Sequence, residues 1–215
     1  MSPRRSSAAT RAQTRALADR ASEVVEGLLG EVSAPATPHG KPAVVLLMGF
    51  PGVGKTHCAR LLAARLRAAH VASDQLRSRL FVAASYADGE NAALFGILDA
   101  LVERLLAGGH RVIVDATHLR ERTRASTLSL AARSGAPCAH VLVTAEEPEV
   151  LARLAERRVS RGEHDRSEAD ERVYLAMRER GFEPPAEYLE LRNGPLLADE
   201  IDRVSRELEA RWSAA

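Results

Sequence analysis

Eight consecutive residues constrain this chain more than any other feature: Gly49, Phe50, Pro51, Gly52, Val53, Gly54, Lys55 and Thr56. An apolar run, Ala43-Val44-Val45-Leu46-Leu47-Met48, precedes them and reads as a buried strand. The stretch from Thr56 to Ala69 reads as a helix, with Leu61, Leu62, Arg65 and Leu66 at helical spacing. A G-x-x-x-x-G-K-T loop in that setting wraps a phosphate chain in backbone N–H groups. Its Lys reaches the β- and γ-phosphates, and its Thr hydroxyl ligates Mg²⁺. The helix N-terminus adds its own attraction for an anion. Lys41 and Lys55 are the only lysines in a chain whose other cations are almost all Arg. Lys55 stands where a compact ammonium on a flexible stem serves better than a planar guanidinium. Gly49 through Thr56 are therefore expected to bind a nucleotide.

Strand and helix patterns alternate beyond this loop. A short strand is expected at His70–Ser73, with a helix opening at Asp74. Glu90–Ala107 carries Leu94, Ile97, Leu98, Leu101 and Leu105 on one face. Arg111–Val114 is a third strand ending in Asp115, Leu119–Ser134 a helix, and Cys138–Thr144 a fourth strand. Helices follow at Pro148–Val159 and at Ser167–Arg180, the latter with Ser167 as N-cap. Tyr188–Leu191 reads as a fifth strand and Leu197–Trp212 as a closing helix. The expected fold is α/β, a parallel sheet of about five strands with helices on both faces and an N-terminal helix. Residues 1–40 form a basic tail, a helix over Thr14–Glu31 and a Pro/Gly-containing linker; residues 41–215 form the ATP-binding domain. Ligands of such sheets sit at the carboxyl ends of the strands. The loop after strand one, Asp74 and Asp115 thus converge on one edge.

Composition narrows the function. A net charge of +1 gives no field that draws the chain to nucleic acid or a membrane surface. Aromatic residues at 4% are too few for a base-stacking platform, which disfavours a long nucleic-acid acceptor. No apolar run spans a bilayer. Cys58 and Cys138 do not make a disulfide framework, which fits a reducing, cytoplasmic setting. The seven His form no metal cluster with Cys.

Three further groups carry chemistry. Asp74 at the end of strand two can accept the proton of an attacking hydroxyl, and Arg77, three residues on, can hold a group of the acceptor. The rival role for Asp74 is a plain helix N-cap. Asp115 ends an apolar strand and can hold Mg²⁺ or contact the acceptor, with both roles open. Arg153, Arg157, Arg158 and Arg161 cluster before Gly162, where a mobile arginine can stabilise phosphoryl charge. Glu183-Pro184-Pro185 ends a helix and receives no chemical role. The stretch Ser85–Leu98 is placed over the acceptor pocket by chain order alone.

Together, GFPGVGKT, SDQLR, VIVDAT and RRVSRG resemble the P-loop kinase group that includes phage-type polynucleotide kinase, zeta-toxin-like kinases and chloramphenicol phosphotransferase. The resemblance spans about Pro42 to Trp212 and implies a P-loop NTPase, nucleoside-kinase-like fold. It implies ATP and Mg²⁺ on the P-loop, Lys55 and Thr56 at the phosphates and metal, Asp74 as general base, and Arg157 with Arg161 as lid arginines. It also implies Arg77 at the acceptor, and Asp115 at acceptor or metal. Acceptors in the group range from polynucleotide 5′-hydroxyls to nucleotide sugars and antibiotics. A small molecule or nucleotide is expected here, with a polynucleotide 5′-hydroxyl as the alternative. A regulatory ATP-binding module and a zeta-type toxin blocked by a small partner are the rivals of other kinds.

Overall fold

Arg67 adopts a left-handed backbone (φ 51°) and turns the chain straight from a helix into a strand. That turn starts the edge strand whose carboxyl end leads into Asp74. The computed structural model describes Leu17 and residues 20–81, 88–160 and 171–214, with the side chains of 157–160 set aside. In chain order the elements are α1 (Ala21–Leu29), β1 (Ala43–Met48), α2 (Lys55–Leu66), β2 (Ala68–Ala72), α3 (Ser73–Leu80), α4 (Asp88–Ala107) and β3 (Arg111–Asp115). They continue with α5 (Glu121–Arg133), β4 (Cys138–Thr144), α6 (Glu147–Ser160), α7 (Glu171–Arg180), β5 (Leu189–Arg192) and α8 (Leu197–Ala214).

The five strands lie in the order β2-β3-β1-β4-β5, and all neighbours run parallel. β1 is central, and each of its residues is buried. Its side chains alternate between two cores. Val45 and Leu47 join Cys58, Leu62, Leu154, Val204 and Leu208 on one face. Val44 and Leu46 join Leu94, Leu98, Leu101 and Leu130 on the other. A parallel strand covered on both faces is expected to read as a continuous apolar run, as this one does. α1 lies on the second face, with Val25 and Leu28 in that core and Glu26 paired to Arg104 of α4. Ser33 then pairs in antiparallel fashion with His70, on the outer side of edge strand β2.

Boundaries shift where the chain turns without a Gly or Pro. β2 begins two residues before the expected strand, because Ala68 and Ala69, good helix formers, extend rather than coil after Arg67. The buried face of α2 is Cys58, Ala59, Leu62, Ala63 and Leu66; Leu61 is 38% exposed, and Arg65 faces solvent and pairs with Asp202. α1 is described from Ala21, and the expected N-cap Ser167 lies outside the described residues. No helix among the described residues is long and apolar enough to cross a membrane.

Candidate nucleotide and acceptor site

The loop after β1 is built for close approach by backbone. Gly49, Gly52 and Gly54 have φ of 148°, 82° and 89°. A Cβ on Gly54 would sit 2.1 Å from Asn193 Nδ2, and one on Gly49 2.7 Å from the Val143 carbonyl. The loop is pinned from several sides. Gly49 N–H donates to Thr117 O (3.1 Å), and Asn193 Nδ2 donates to Val53 O (2.8 Å). Lys55 Nζ donates to Phe50 O (2.9 Å), folding the ammonium back over the loop. Arg153, one of the clustered arginines, pairs with Glu149 and reaches Val53 O at 3.5 Å. Asn193 carried no motif in the sequence; only its position after β5, beside the loop, gives it this role.

A Gly54→Ala change follows directly from this geometry. It forces a left-handed backbone on alanine and displaces Asn193 from Val53. We expect a loss of at least about 1–3 kcal/mol, read by urea denaturation.

Beside the loop lies a cleft of about 830 Å³. Its walls bring together Lys55, Thr56, Asp74, Arg77 and Asp115. Asp88, Asn91 and Phe95 of α4 contribute, as expected of the 85–98 stretch, and residues 82–87 lie outside the described residues. Arg122, Thr123 and Ser126 of α5 and Val173 and Met177 of α7 complete the far side. Arg157 belongs to α6 by backbone; its side chain, and the whole of Arg161, lie outside the described residues.

Asp74 is exposed in the first turn of α3, two residues past the N-cap Ala72, so it is not itself the cap. Arg77 is 8% exposed and is held by Glu90 (2.5 Å) and Asn91 (2.7 Å). Glu90 is itself buried; the 85–98 stretch was placed over the pocket, but the pairing of Glu90 and Asn91 with Arg77 was not legible. Asp115 is 4% exposed. Burial alone would raise its pKa. Hydrogen bonds from His70 and Thr56 and the charge of Lys55 outweigh it, so the carboxyl lies below its ordinary range and is ionised at neutral pH. Thr56 and Asp115 thus offer adjacent hard oxygen donors, the chemistry Mg²⁺ accepts alongside substrate phosphates. Among the described residues, no group of three His, Cys, Asp or Glu forms an all-protein metal cage. Burial pushes both Cys58 and Cys138 up to about 12, so neither thiol supplies a nucleophile.

Behind the cleft, the run after β3 is clamped. His118 is buried at φ 44°, with its ring on the Leu47 carbonyl (3.0 Å) and beside Phe95. Arg124 bonds both the His118 and Glu183 carbonyls. Glu183 accepts from Arg120 (2.6 Å) and from the Glu121 N–H (2.9 Å), capping α5 from a distant segment. The Glu183-Pro-Pro stretch therefore fixes the α5 wall of the cleft.

Burial, reinforced by the Arg124 charge, pushes His118 down to about 4. Its folded value is thus below its unfolded one, near 6.5. Its contribution is complete above pH 6.5 and is lost as pH falls through about 4, because the unfolded chain then binds the extra proton. We expect stability to drop by on the order of 3 kcal/mol between pH 6.5 and 4 from this group. His118→Asn tolerates the backbone and keeps a donor toward Leu47, so it should flatten that slope in urea melts across pH.

Solved structures share this fold. One described as a candidate kinase from Chloroflexus aurantiacus is 18% identical, with a TM-score of 0.62, covering 79% of this chain and 98% of that one. The Mycobacterium tuberculosis APS kinase CysC, in complex with AMPPNP and APS, is 20% identical, with a TM-score of 0.60 over 80% and 99% of the two chains. Chaetomium thermophilum Kti12, with ADP-AlF3, is 20% identical, with a TM-score of 0.59 over 75% and 96%. No curated protein matches the chain. The comparisons single out neither the polynucleotide-kinase nor the zeta-toxin branch. A family model described as an AAA domain, AAA_33, matches residues 44–185, which is more than half of the chain and includes the loop, Asp74, Arg77 and Asp115. The chain therefore belongs to that AAA domain family and carries a P-loop domain of kinase-like fold.

Proposed function

We propose that the chain is an ATP- and Mg²⁺-dependent phosphotransferase that moves the γ-phosphate of ATP to a hydroxyl of a small molecule or nucleotide. The observation that carries this reading is that Asp74 and the Lys55-Thr56 pair line one cleft. In this reading the carboxylate serves the acceptor, and the ammonium and hydroxyl serve the phosphates. Phosphoryl transfer asks little of a protein beyond positioning and charge stabilisation.

In this reading the backbone of Gly49–Thr56 cradles the phosphates, and Lys55 turns from Phe50 O to the β/γ-oxygens. Asp74 accepts the proton of the attacking hydroxyl, and Arg77, oriented by Glu90 and Asn91, holds the acceptor. Thr56 and Asp115 would hold Mg²⁺, which when bound neutralises charge on the phosphates. Arg157 and Arg161 are assigned to the transferring phosphoryl group by their place in the sequence.

The test is transfer of label from γ-labelled ATP. Nucleosides, nucleotides, sugars and other small alcohols form one arm, and a 5′-hydroxyl oligonucleotide forms the other. Labelled small product is expected. Product in the oligonucleotide arm alone would select the polynucleotide alternative. Release of inorganic phosphate alone would leave a nucleotide-hydrolysing module. In a line that transfers, Arg161→Ala should slow the step at least tenfold with ATP binding little changed.

A further inference from the structure

His70 has no part in the mechanism above, yet it is 7% exposed and its Nε2 lies 3.2 Å from Asp115 Oδ2. Two strands hold it in that place. On one side its strand pairs with β3, with His70 opposite Ile113 and Ala72 opposite Asp115. On the other its own N–H donates to Ser33 O (3.0 Å), from the segment that follows α1. An edge-strand residue bridged on both sides has little freedom to move. Its ring therefore fixes one oxygen of a carboxylate that also meets Thr56 and faces the cleft. An ionised carboxylate only accepts, so Nε2 carries the proton and donates.

We propose that His70 is a positioning residue for Asp115: its Nε2–H fixes the carboxylate in the rotamer that, with Thr56, receives Mg²⁺ beside the nucleotide phosphates. The inference rests on the reading of Asp115 as a metal-side group. Groups that orient a metal-ligating side chain change metal affinity when removed, commonly by 10–100-fold. Ser33 contributes by bracing the strand that bears the histidine, which gives the N-terminal segment a part in the geometry of the site.

The experiment is Mg²⁺ titration of the full chain with a fluorescent ADP analogue, reading the half-saturating Mg²⁺ for nucleotide binding. Wild type, His70→Leu, His70→Gln, Asp115→Asn and the His70→Leu/Asp115→Asn double variant are compared, each checked by circular dichroism. His70→Leu should raise the Mg²⁺ midpoint by roughly tenfold, with Mg²⁺-free ADP binding unchanged. His70→Gln, whose amide can reach as a donor to the same oxygen, should restore the midpoint to within about threefold. The double variant should match Asp115→Asn alone, since the histidine acts through that carboxylate. A wild-type midpoint in His70→Leu, when Asp115→Asn shifts it, overturns the positioning role. Equal shifts in the Leu and Gln variants also overturn it, since a packing role would not distinguish them. An Asp115→Asn variant with the wild-type midpoint instead overturns the metal-side reading of Asp115. If His70→Leu fails to fold, His70→Met replaces it against the same Gln control.

Discussion

Asp74→Asn is expected to cut phosphoryl transfer by roughly 10²–10⁴-fold while MgATP binding survives. The change keeps size and shape and removes the negative charge together with the capacity to take a proton. Asp74 is exposed at the mouth of the cleft, and Ala72 rather than Asp74 occupies the N-cap of α3, so little of the fold depends on its charge. The remaining structural effect is a favourable charge near a helix start, worth about 0.3–1 kcal/mol. Single-turnover transfer at saturating ATP measures the step. An Asp74→Asn enzyme that transfers at the wild-type rate would falsify the base assignment and move attention to Asp115, the buried carboxylate in the cleft.

Lys55→Ala is expected to fail earlier, at nucleotide binding. The ammonium donates to the Phe50 carbonyl, and the loop retains the Gly49–Thr117 and Asn193–Val53 hydrogen bonds without it. The fold should therefore stand, with a loss of at least the roughly 0.5–1.5 kcal/mol of one hydrogen bond, because the charge that favours ionised Asp115 goes too. What disappears is the positive group among the phosphates. Most of the MgATP-induced rise in melting temperature should go with it. Lys55→Arg should also lower affinity or turnover, because a planar fork cannot replace a point donor in a loop this closely pinned. Binding calorimetry beside the transfer assay separates the roles: Asp74→Asn binds but transfers slowly, and Lys55→Ala binds far more weakly.

Much of this was legible because the informative residues are local. The loop, the apolar β1 run and the carboxylates at the ends of β2 and β3 are each readable within a few positions, and a parallel sheet brings strand ends together by its own geometry. The periodic Leu94, Ile97, Leu98, Leu101 and Leu105 of α4 were equally plain, and all five are buried. What was not legible is long-range. Glu90 and Asn91 meet Arg77 across 13 and 14 residues, and Asn193 meets Val53 across 140. Glu183 caps α5 from 62 residues away, a role hidden behind two prolines that read only as a helix stop. His70 looked like an ordinary strand residue, since nothing in its neighbours announces a partner 45 positions on. The early start of β2 was hidden for a different reason: its left-handed turn is made by Arg67, and arginine carries none of the conformational signal of glycine.

The central claim, that the loop and cleft form a working nucleotide site, is tested most directly by the melting temperature of the wild-type chain with and without MgATP. At a hundredfold excess over Kd, a ligand confined to the native state adds about 2.7 kcal/mol, which for a chain of this size is a rise of roughly 5–10 °C. The account predicts that rise, dependent on nucleotide and mostly lost in Lys55→Ala. A wild-type melting temperature unchanged by saturating MgATP would contradict it.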